Sequence, residues 1–327
     1  MTIEPVKSVS VLGAGVMGQG IAQSFAMGGY PVYLYDIAQN ILDAAHSHIE
    51  SNLRLFFEAD IIQSDDVKDC LGRIKVSNDI KRSVSESDLV IEAAPEKVEL
   101  KQNLFCEVEK YCSEKAILTT NTSHLKLAEI FSKVEFKNRT LATHWFNPPQ
   151  IVPTVEVVKH RWTNDEAIQR TYEVLKKIGK EPVKIHLDIQ GFLVNRILLA
   201  IAREALDLFD KGVASAEDID RAVKGSIGFR YACIGPLRTI DLGGVEGWLD
   251  ACYKLFPLIN SSTEPPKSLE ELLNEGNTGI HSGEGFYRYA SQFLEKEIDP
   301  AVSDRDKDMF KLLKSFYWKK DNAEETR

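Results

Sequence analysis

His144 and Glu156 are a base and an acid set on either side of a short turn. His144 lies in the apolar run 140–146 (TLATHWF), Glu156 lies in the run 154–159 (TVEVVK), and Asn147-Pro148-Pro149 follows the first run directly. A neutral imidazole can take the proton of a hydroxyl group if one ring nitrogen is held in a fixed tautomer. A carboxylate at the far nitrogen does that, and it stabilises the imidazolium that forms. A strand–turn–strand brings the two residues together. On spacing alone, the other reading is a core histidine beside an unrelated surface acid.

A second constellation occupies residues 9–36, VSVLGAGVMGQGIAQSFAMGGYPVYLYD. An apolar, β-branched run ends in Gly13-x-Gly15-x-x-Gly18, a helical pattern follows, and a second apolar run closes on Asp36. Gly13 permits a tight strand-to-helix turn, Gly15 lets a pyrophosphate approach the backbone, and Gly18 lets the helix pack closely on the sheet. The helix that opens at Val16 and Met17 presents unpaired N–H groups and its positive end to phosphates. Asp36 is placed for both hydroxyls of a ribose, and its charge would repel a 2′-phosphate. The order of strand, glycines, helix, strand and acid points to a dinucleotide, and to NAD over NADP.

The elements that must position these residues follow from the wider pattern. Strand-like runs occur at 8–12, 32–35, 88–94, 116–120, 140–146, 154–159 and 182–186, with helical patterns at about 17–28, 38–58, 97–112, 124–132 and 164–178. Such alternation implies parallel strands covered on both faces. The connection at Asn147-Pro148-Pro149 is too short for a crossover helix, so the pair it joins is expected to be antiparallel. After Asp188 the pattern becomes helical, with a long apolar helix over 191–212 and a capped one beginning at Ser215. The expected fold is α/β: a Rossmann-type doubly wound sheet over 1–188 and a mostly α-helical domain over 189–327. The tail DRDKDMFKLLKSFYWKK reads as an amphipathic helix docked on the body.

Composition narrows the function. A chain of 327 residues suits two domains. The net charge of −9 argues against a nucleic-acid surface, and no apolar run reaches the length of a membrane span. Cys70, Cys106, Cys112, Cys233 and Cys252 have no CxxC spacing, and the N-terminus lacks the pattern of a secretory signal. Free thiols in a reducing compartment, and a cytoplasmic protein, are expected. His46, His48, His160, His186 and His281 lack metal-ligand spacing and read as surface histidines; no metal is expected.

The chain resembles the 3-hydroxyacyl-CoA dehydrogenase superfamily over nearly its whole length. The stretches that carry the likeness are VLGAGVMGQGIA, DLVIEAAPEKVELK, TTNTSHL, THWFNPP with VEVV after it, GFLVNR and GEGFYRY. The resemblance implies that His144 is the general base and Glu156 its orienting partner. It implies that Ser123 hydrogen-bonds the substrate hydroxyl, and that Asn195 helps to hold His144 and the reacting oxygen. Glu96 and Lys101 would contact the nicotinamide ribose, with Asn121 and Asn147 also on the cofactor. Other readings stand beside these: Ser123 as a helix cap, Asn195 as a backbone partner at the domain junction, Lys101 as a solvated helix face. The family also implies a homodimer through the helical domain.

The implied reaction is oxidation of the secondary alcohol of a 3-hydroxy acid or 3-hydroxyacyl-CoA by NAD. Acyl-CoA members hold the nucleotide end of CoA partly with lysines on the helix after the second strand. Here that helix has Arg54 as its one Lys or Arg, among Glu50, Glu58, Asp60, Asp65 and Asp66. GSIGFRYACIGPL (225–237) resembles the branch acting on small hydroxy acids, the gulonate 3-dehydrogenase and lambda-crystallin group. Arg230 is then expected to grip a substrate carboxylate, with a structural ion pair as the other reading. Oxidation of another carboxylated alcohol or aldehyde, and a non-catalytic crystallin-like NAD-binding protein, are the alternatives.

Overall fold

The computed structural model describes residues 4–289 and 300–318. Its organising element is one eight-stranded sheet: β1 (Val9–Leu12), β2 (Val32–Tyr35), β3 (Ile74–Ser77), β4 (Leu89–Glu92), β5 (Ile117–Thr120), β6 (Thr140–Trp145), β7 (Thr154–Val158) and β8 (Glu181–Ile185). The spatial order is β3-β2-β1-β4-β5-β6-β7-β8. Strands β1 to β6 run parallel, β7 is antiparallel to β6, and β8 is parallel to β7.

Alternation along each strand feeds two separate cores. Val9 and Val11, Leu89 and Ile91, and Val155 and Val157 enter one apolar cluster, while Leu12, Val90 and Val158 enter the other. Both faces are therefore covered, as a parallel sheet requires. The covering helices are α1 (Val16–Met27), α2 (Gln39–Glu58), α3 (Ser64–Arg73), α4 (Ile80–Val84), α5 (Val98–Glu109), α6 (Leu127–Ile130) and α7 (Asp165–Lys177).

Four elements escaped the sequence pattern or shrank. In the edge strand β3 only Ile74 is buried, because charged Lys75 interrupts the run, and the short helices α3 and α4 flank it. The helix expected over 124–132 is the single turn α6.

The chain divides into two compact units, residues 4–193 with 306–318, and residues 194–305, among those described. The division falls five residues after the expected boundary at 188, and the tail returns to the first unit. There Phe310 meets Phe56 edge-on at 4.8 Å, and Lys314 Nζ donates to the Ala59 carbonyl at 2.9 Å. The second unit is helical: α8 (Val194–Asp210), then Ala216–Ala222 capped by Ser215, Pro236–Gly243, Val245–Leu255 and Lys267–Asn274. Ala216–Ala222 runs on through a π-helical turn, Val223–Gly228, into Phe229–Tyr231. Among the described residues no helix is long and apolar enough to cross a membrane, and no His, Cys, Asp and Glu cluster could hold a metal ion.

Candidate active site

Strands β1, β2, β4, β5 and β6 deliver the chemistry-bearing residues at or just beyond their C-terminal ends, where ligands of open α/β sheets gather. At the end of β1, Gly13 has φ +105°, and a Cβ there would meet the Ala93 carbonyl oxygen at 2.7 Å. A Cβ on Gly18 would lie 1.7 Å from the Gly13 carbonyl oxygen. Both positions therefore exclude any side chain for internal reasons. Gly15 is different: a Cβ there would meet nothing within 4 Å. Its bareness leaves room beside the first turn of α1, which has no side-chain cap, so a pyrophosphate fits it. Asp36 follows β2, and its carboxylate accepts from the Ala14 N–H at 2.9 Å and the Ala38 N–H at 3.0 Å. Those contacts aim it across the glycine turn, and the residues present fit NAD.

The next loop is organised by a buried cation. Lys101 is 1% exposed, so the solvated-face reading is overturned: packing of α5 turns it into the protein. Its ammonium donates to Glu92 Oε1 at 2.6 Å and the Ala94 carbonyl at 3.1 Å, and pairs with Glu96 Oε2 at 3.1 Å. Glu92 also accepts from the Ala94 N–H at 2.7 Å and the Thr120 hydroxyl at 2.6 Å. Glu96 accepts from the Thr122 hydroxyl and, at 2.9 Å, from the Ser123 N–H. Burial pushes the Glu92 pKa up, against the pull of Lys101, Thr120 and the Ala94 N–H. Burial acts the same way on Glu96, but Thr122, Lys101 and the Ser123 N–H outweigh it and lower its pKa. Ser123 does not cap α6, whose preceding turn is closed by Leu125 N–H donating to Thr122 Oγ1 at 3.1 Å. The Ser123 hydroxyl instead lies 3.1 Å from His124 Nδ1. Asn121 accepts from the Trp145 N–H at 2.9 Å and so ties this loop to β6.

His144 and Glu156 stand directly opposite each other in the antiparallel β6–β7 ladder. Opposed residues point to the same face with Cβ atoms about 5 Å apart. The reading of an unrelated histidine and acid is therefore removed. His144 Nδ1 lies 2.6 Å from Glu156 Oε2, and both residues are buried. With Nδ1–H donating to the carboxylate, Nε2 is left as the proton acceptor. Glu156 Oε1 accepts from the Leu193 N–H at 3.0 Å. The imidazole is flanked by Phe146 at 4.5 Å and Phe192 at 5.6 Å between ring centroids. Phe192 has φ +48°, a conformation disfavoured for a bulky residue. It is held there beside the base and its acid, as strained residues at functional sites often are.

Asn147 is exposed and joined by a cis peptide to Pro148. Asn195 and Arg230 belong to the second unit, Asn195 in the first turn of α8 and Arg230 exposed in Phe229–Tyr231. Arg230 makes no ion pair among the described residues.

His46, His48, His186 and His281 are exposed, but His160 is not: it is buried, 2.7 Å from Thr140 Oγ1 and stacked on Phe131. Burial pulls its pKa down to about 4, so it is a neutral core group rather than a surface one.

Sequence reasoning missed Glu92, Thr122, Phe192 and the Leu193 amide. A signal for Glu92 was present: an acid closes the run DLVIE much as Asp36 closes YLYD.

Residues 8–189 match the model of the 3-hydroxyacyl-CoA dehydrogenase NAD binding domain, and residues 191–289 match that of the C-terminal domain. A probable 3-hydroxyacyl-CoA dehydrogenase of Caenorhabditis elegans is 36% identical over 295 residues, covering 88% of this chain and 94% of its own. The human lambda-crystallin homolog is 34% identical over 245 residues, covering 75% and 76%. The crystal structure of 5-formyl-3-hydroxy-2-methylpyridine 4-carboxylic acid 5-dehydrogenase, an NAD+-dependent dismutase, superposes with a TM-score of 0.87 at 27% identity, over 95% of this chain and 98% of that one. With matched models spanning both units and an intact dinucleotide motif, the chain belongs to the 3-hydroxyacyl-CoA dehydrogenase family and is an NAD-dependent oxidoreductase.

Proposed function

We propose that this oxidoreductase oxidises the secondary alcohol of a 3-hydroxy acid, with His144 as base, and that it favours a small carboxylated substrate over an acyl-CoA. The observation that carries the reading is the buried 2.6 Å contact between His144 and Glu156 at the C-terminal end of β6. Gly13, Gly15, Gly18, Val16, Met17 and Asp36 would hold the nucleotide, and Glu96, Asn121 and Asn147 the nicotinamide side, with the buried Lys101 fixing Glu96 from behind. Bound NAD supplies the acceptor for the hydrogen leaving carbon with its electron pair. His144 Nε2 takes the hydroxyl proton, and Glu156 stabilises the positive ring that results. Ser123 orients the hydroxyl. Phe146 and Phe192 exclude water from the imidazole.

The preference for a free acid rests on charge. Arg54, the one Lys or Arg of α2, is already paired with Glu50 at 2.6 Å, which leaves that helix a poor partner for the 3′-phosphate of CoA. Arg230 is exposed and without an ion pair among the described residues, and its fork can take both oxygens of a carboxylate. The likeness to a dehydrogenase named for a formyl pyridine carboxylic acid favours a second reading, oxidation of a carboxylated aldehyde.

One assay decides among these. With NAD, free 3-hydroxy acids are expected to give the higher kcat/KM, 3-hydroxybutyryl-CoA the lower one. In Arg230→Ala the KM for the free acid should rise about tenfold, the equivalent of 1.4 kcal/mol. An unchanged KM makes Arg230 structural, and a preference for the thioester reverses the substrate assignment. Turnover of carboxylated aldehydes alone supports the second reading, whereas NAD binding without any turnover supports a crystallin-like role.

The second unit also exposes Leu237 at 77%, Tyr253 at 76% and Phe229 at 72%. Apolar surface on that scale calls for a partner, and we infer a homodimer through this unit. Its solution mass should be that of two chains, and a monomer at micromolar concentration would refute it.

A further inference from the structure

Lys180 stands just before β8, following the left-handed turn at Gly179, and its side chain is buried. Its ammonium donates to three main-chain carbonyls: Pro149 at 2.7 Å, Val152 at 2.9 Å and Gln150 at 3.4 Å. It also lies 5.4 Å above the ring of Trp145, the neighbour of His144. No carboxylate pairs with it among the described residues. The three carbonyls belong to one connection, the loop from Asn147 onward that joins the strand of His144 to the strand of Glu156. The opposite side of this loop is pressed against α1. A Cβ on Gly20 would lie 2.3 Å from Gln150 Oε1 and 2.6 Å from Pro149 Cγ. The loop is thus clamped between a buried cation and the helix whose first turn is the phosphate end of the nucleotide motif.

We propose that Lys180 is a positioning residue for the nicotinamide side of the site: by gathering three carbonyls it fixes the loop that carries Asn147 and spaces the His144 strand from the cofactor helix. A carboxylate partner would fix one side chain, whereas three carbonyl acceptors fix the path of the backbone itself. The cation is costly to keep there, since burial pulls its pKa down to about 7. The proposal rests on the reading of His144 as base.

The test is Lys180→Met in the full chain. Methionine fills similar volume without a charge to desolvate, so the variant should fold. Its affinity for ADP-ribose, which carries every part of the cofactor except the nicotinamide ring, should stay within about twofold of wild type. NADH affinity should fall about tenfold and kcat about 10²-fold, the scale expected when a reacting group shifts by about 1 Å. Gly20→Ala pushes the same loop from the other side and should give the same split without touching Lys180. Wild-type kcat and NADH affinity in Lys180→Met would overturn the proposal, as would an equal loss of ADP-ribose and NADH binding, which marks a general defect. If Lys180→Met does not fold, unchanged kcat and NADH affinity in Gly20→Ala overturns it. Should the wild type turn over none of the assayed substrates, the reading of His144 fails. The difference between ADP-ribose and NADH affinity then still tests the loop.

Discussion

Replacing His144 by glutamine should lower kcat by about 10²–10⁴-fold while leaving NADH affinity near that of the wild type. Glutamine nearly conserves volume and can still donate to Glu156, so the ladder between β6 and β7 is kept. What it loses is a basic nitrogen able to take a hydroxyl proton. The buried setting strengthens the expectation, because Phe146 and Phe192 leave little room for water to substitute as base. The nucleotide is held on other elements, by the turn at Gly13–Gly18 and by Asp36, so its binding should report an intact fold. Steady-state kinetics and a fluorescence titration of NADH on the same preparation check both halves. A kcat within threefold of wild type places the base elsewhere; a parallel collapse of NADH affinity shows that the substitution disturbed the whole unit.

The nucleotide half of this site was legible in the sequence because backbone conformation dictates residue type there. Gly13 must be glycine for its positive φ, and Gly18 because a Cβ would strike the carbonyl of Gly13. The catalytic pair was half legible. The strand–turn–strand around Asn147-Pro148-Pro149 is written in the pattern, but the register is not. A slip of one residue would have sent His144 and Glu156 to opposite faces. The antiparallel ladder, with its even separation, is what joins them.

The rest was hidden for a common reason: local sequence does not reveal whether a charged side chain is solvated. Lys101 sits in VELK and Lys180 in GKEP, stretches with the polarity of any surface, yet both are buried and surrounded by acceptors. His160 likewise follows an apolar run, and nothing nearby in the chain announces Thr140 and Phe131 as its neighbours. Phe192 was hidden differently. Gly191 and Phe192 both adopt left-handed conformations, and only the first is a residue type that predicts it. The edge strand β3 lacked enough apolar residues to be seen, and the return of the tail to the first unit depends on long-range packing of Phe310 on Phe56.

Lys101→Met should destabilise the protein at neutral pH by about 3–5 kcal/mol, the cost of removing one partner from a buried ion pair. Glu92 would keep only the Thr120 hydroxyl and the Ala94 N–H, with no cation in a site from which water is excluded. The sign of the pH dependence follows from the two carboxylates. Burial already holds the Glu92 pKa above its ordinary value, and loss of Lys101 raises it further. Ionising Glu92 therefore opposes folding of the variant, and that penalty is relieved as pH falls towards the unfolded carboxylate value of about 4.3. Glu96 works in the same direction. Its lowered pKa in the wild type, where Thr122, Lys101 and Ser123 outweigh burial, gives stability above the unfolded value that is lost on acidification. Part of that stability is already missing in the variant. The Glu92 effect makes the gap between wild type and Lys101→Met shrink from pH 8 to pH 5, as denaturant unfolding at the two values will show, and the Glu96 effect adds to it only below the unfolded carboxylate value. A gap that is constant with pH would mean that the loss comes from packing of the lysine stem. The double variant Glu92→Gln/Lys101→Met removes both buried charges and should recover most of the stability, yet NADH affinity should remain reduced. Recovery of folding without recovery of binding would assign to Lys101, beyond neutralising Glu92, the task of aiming Glu96 at the cofactor.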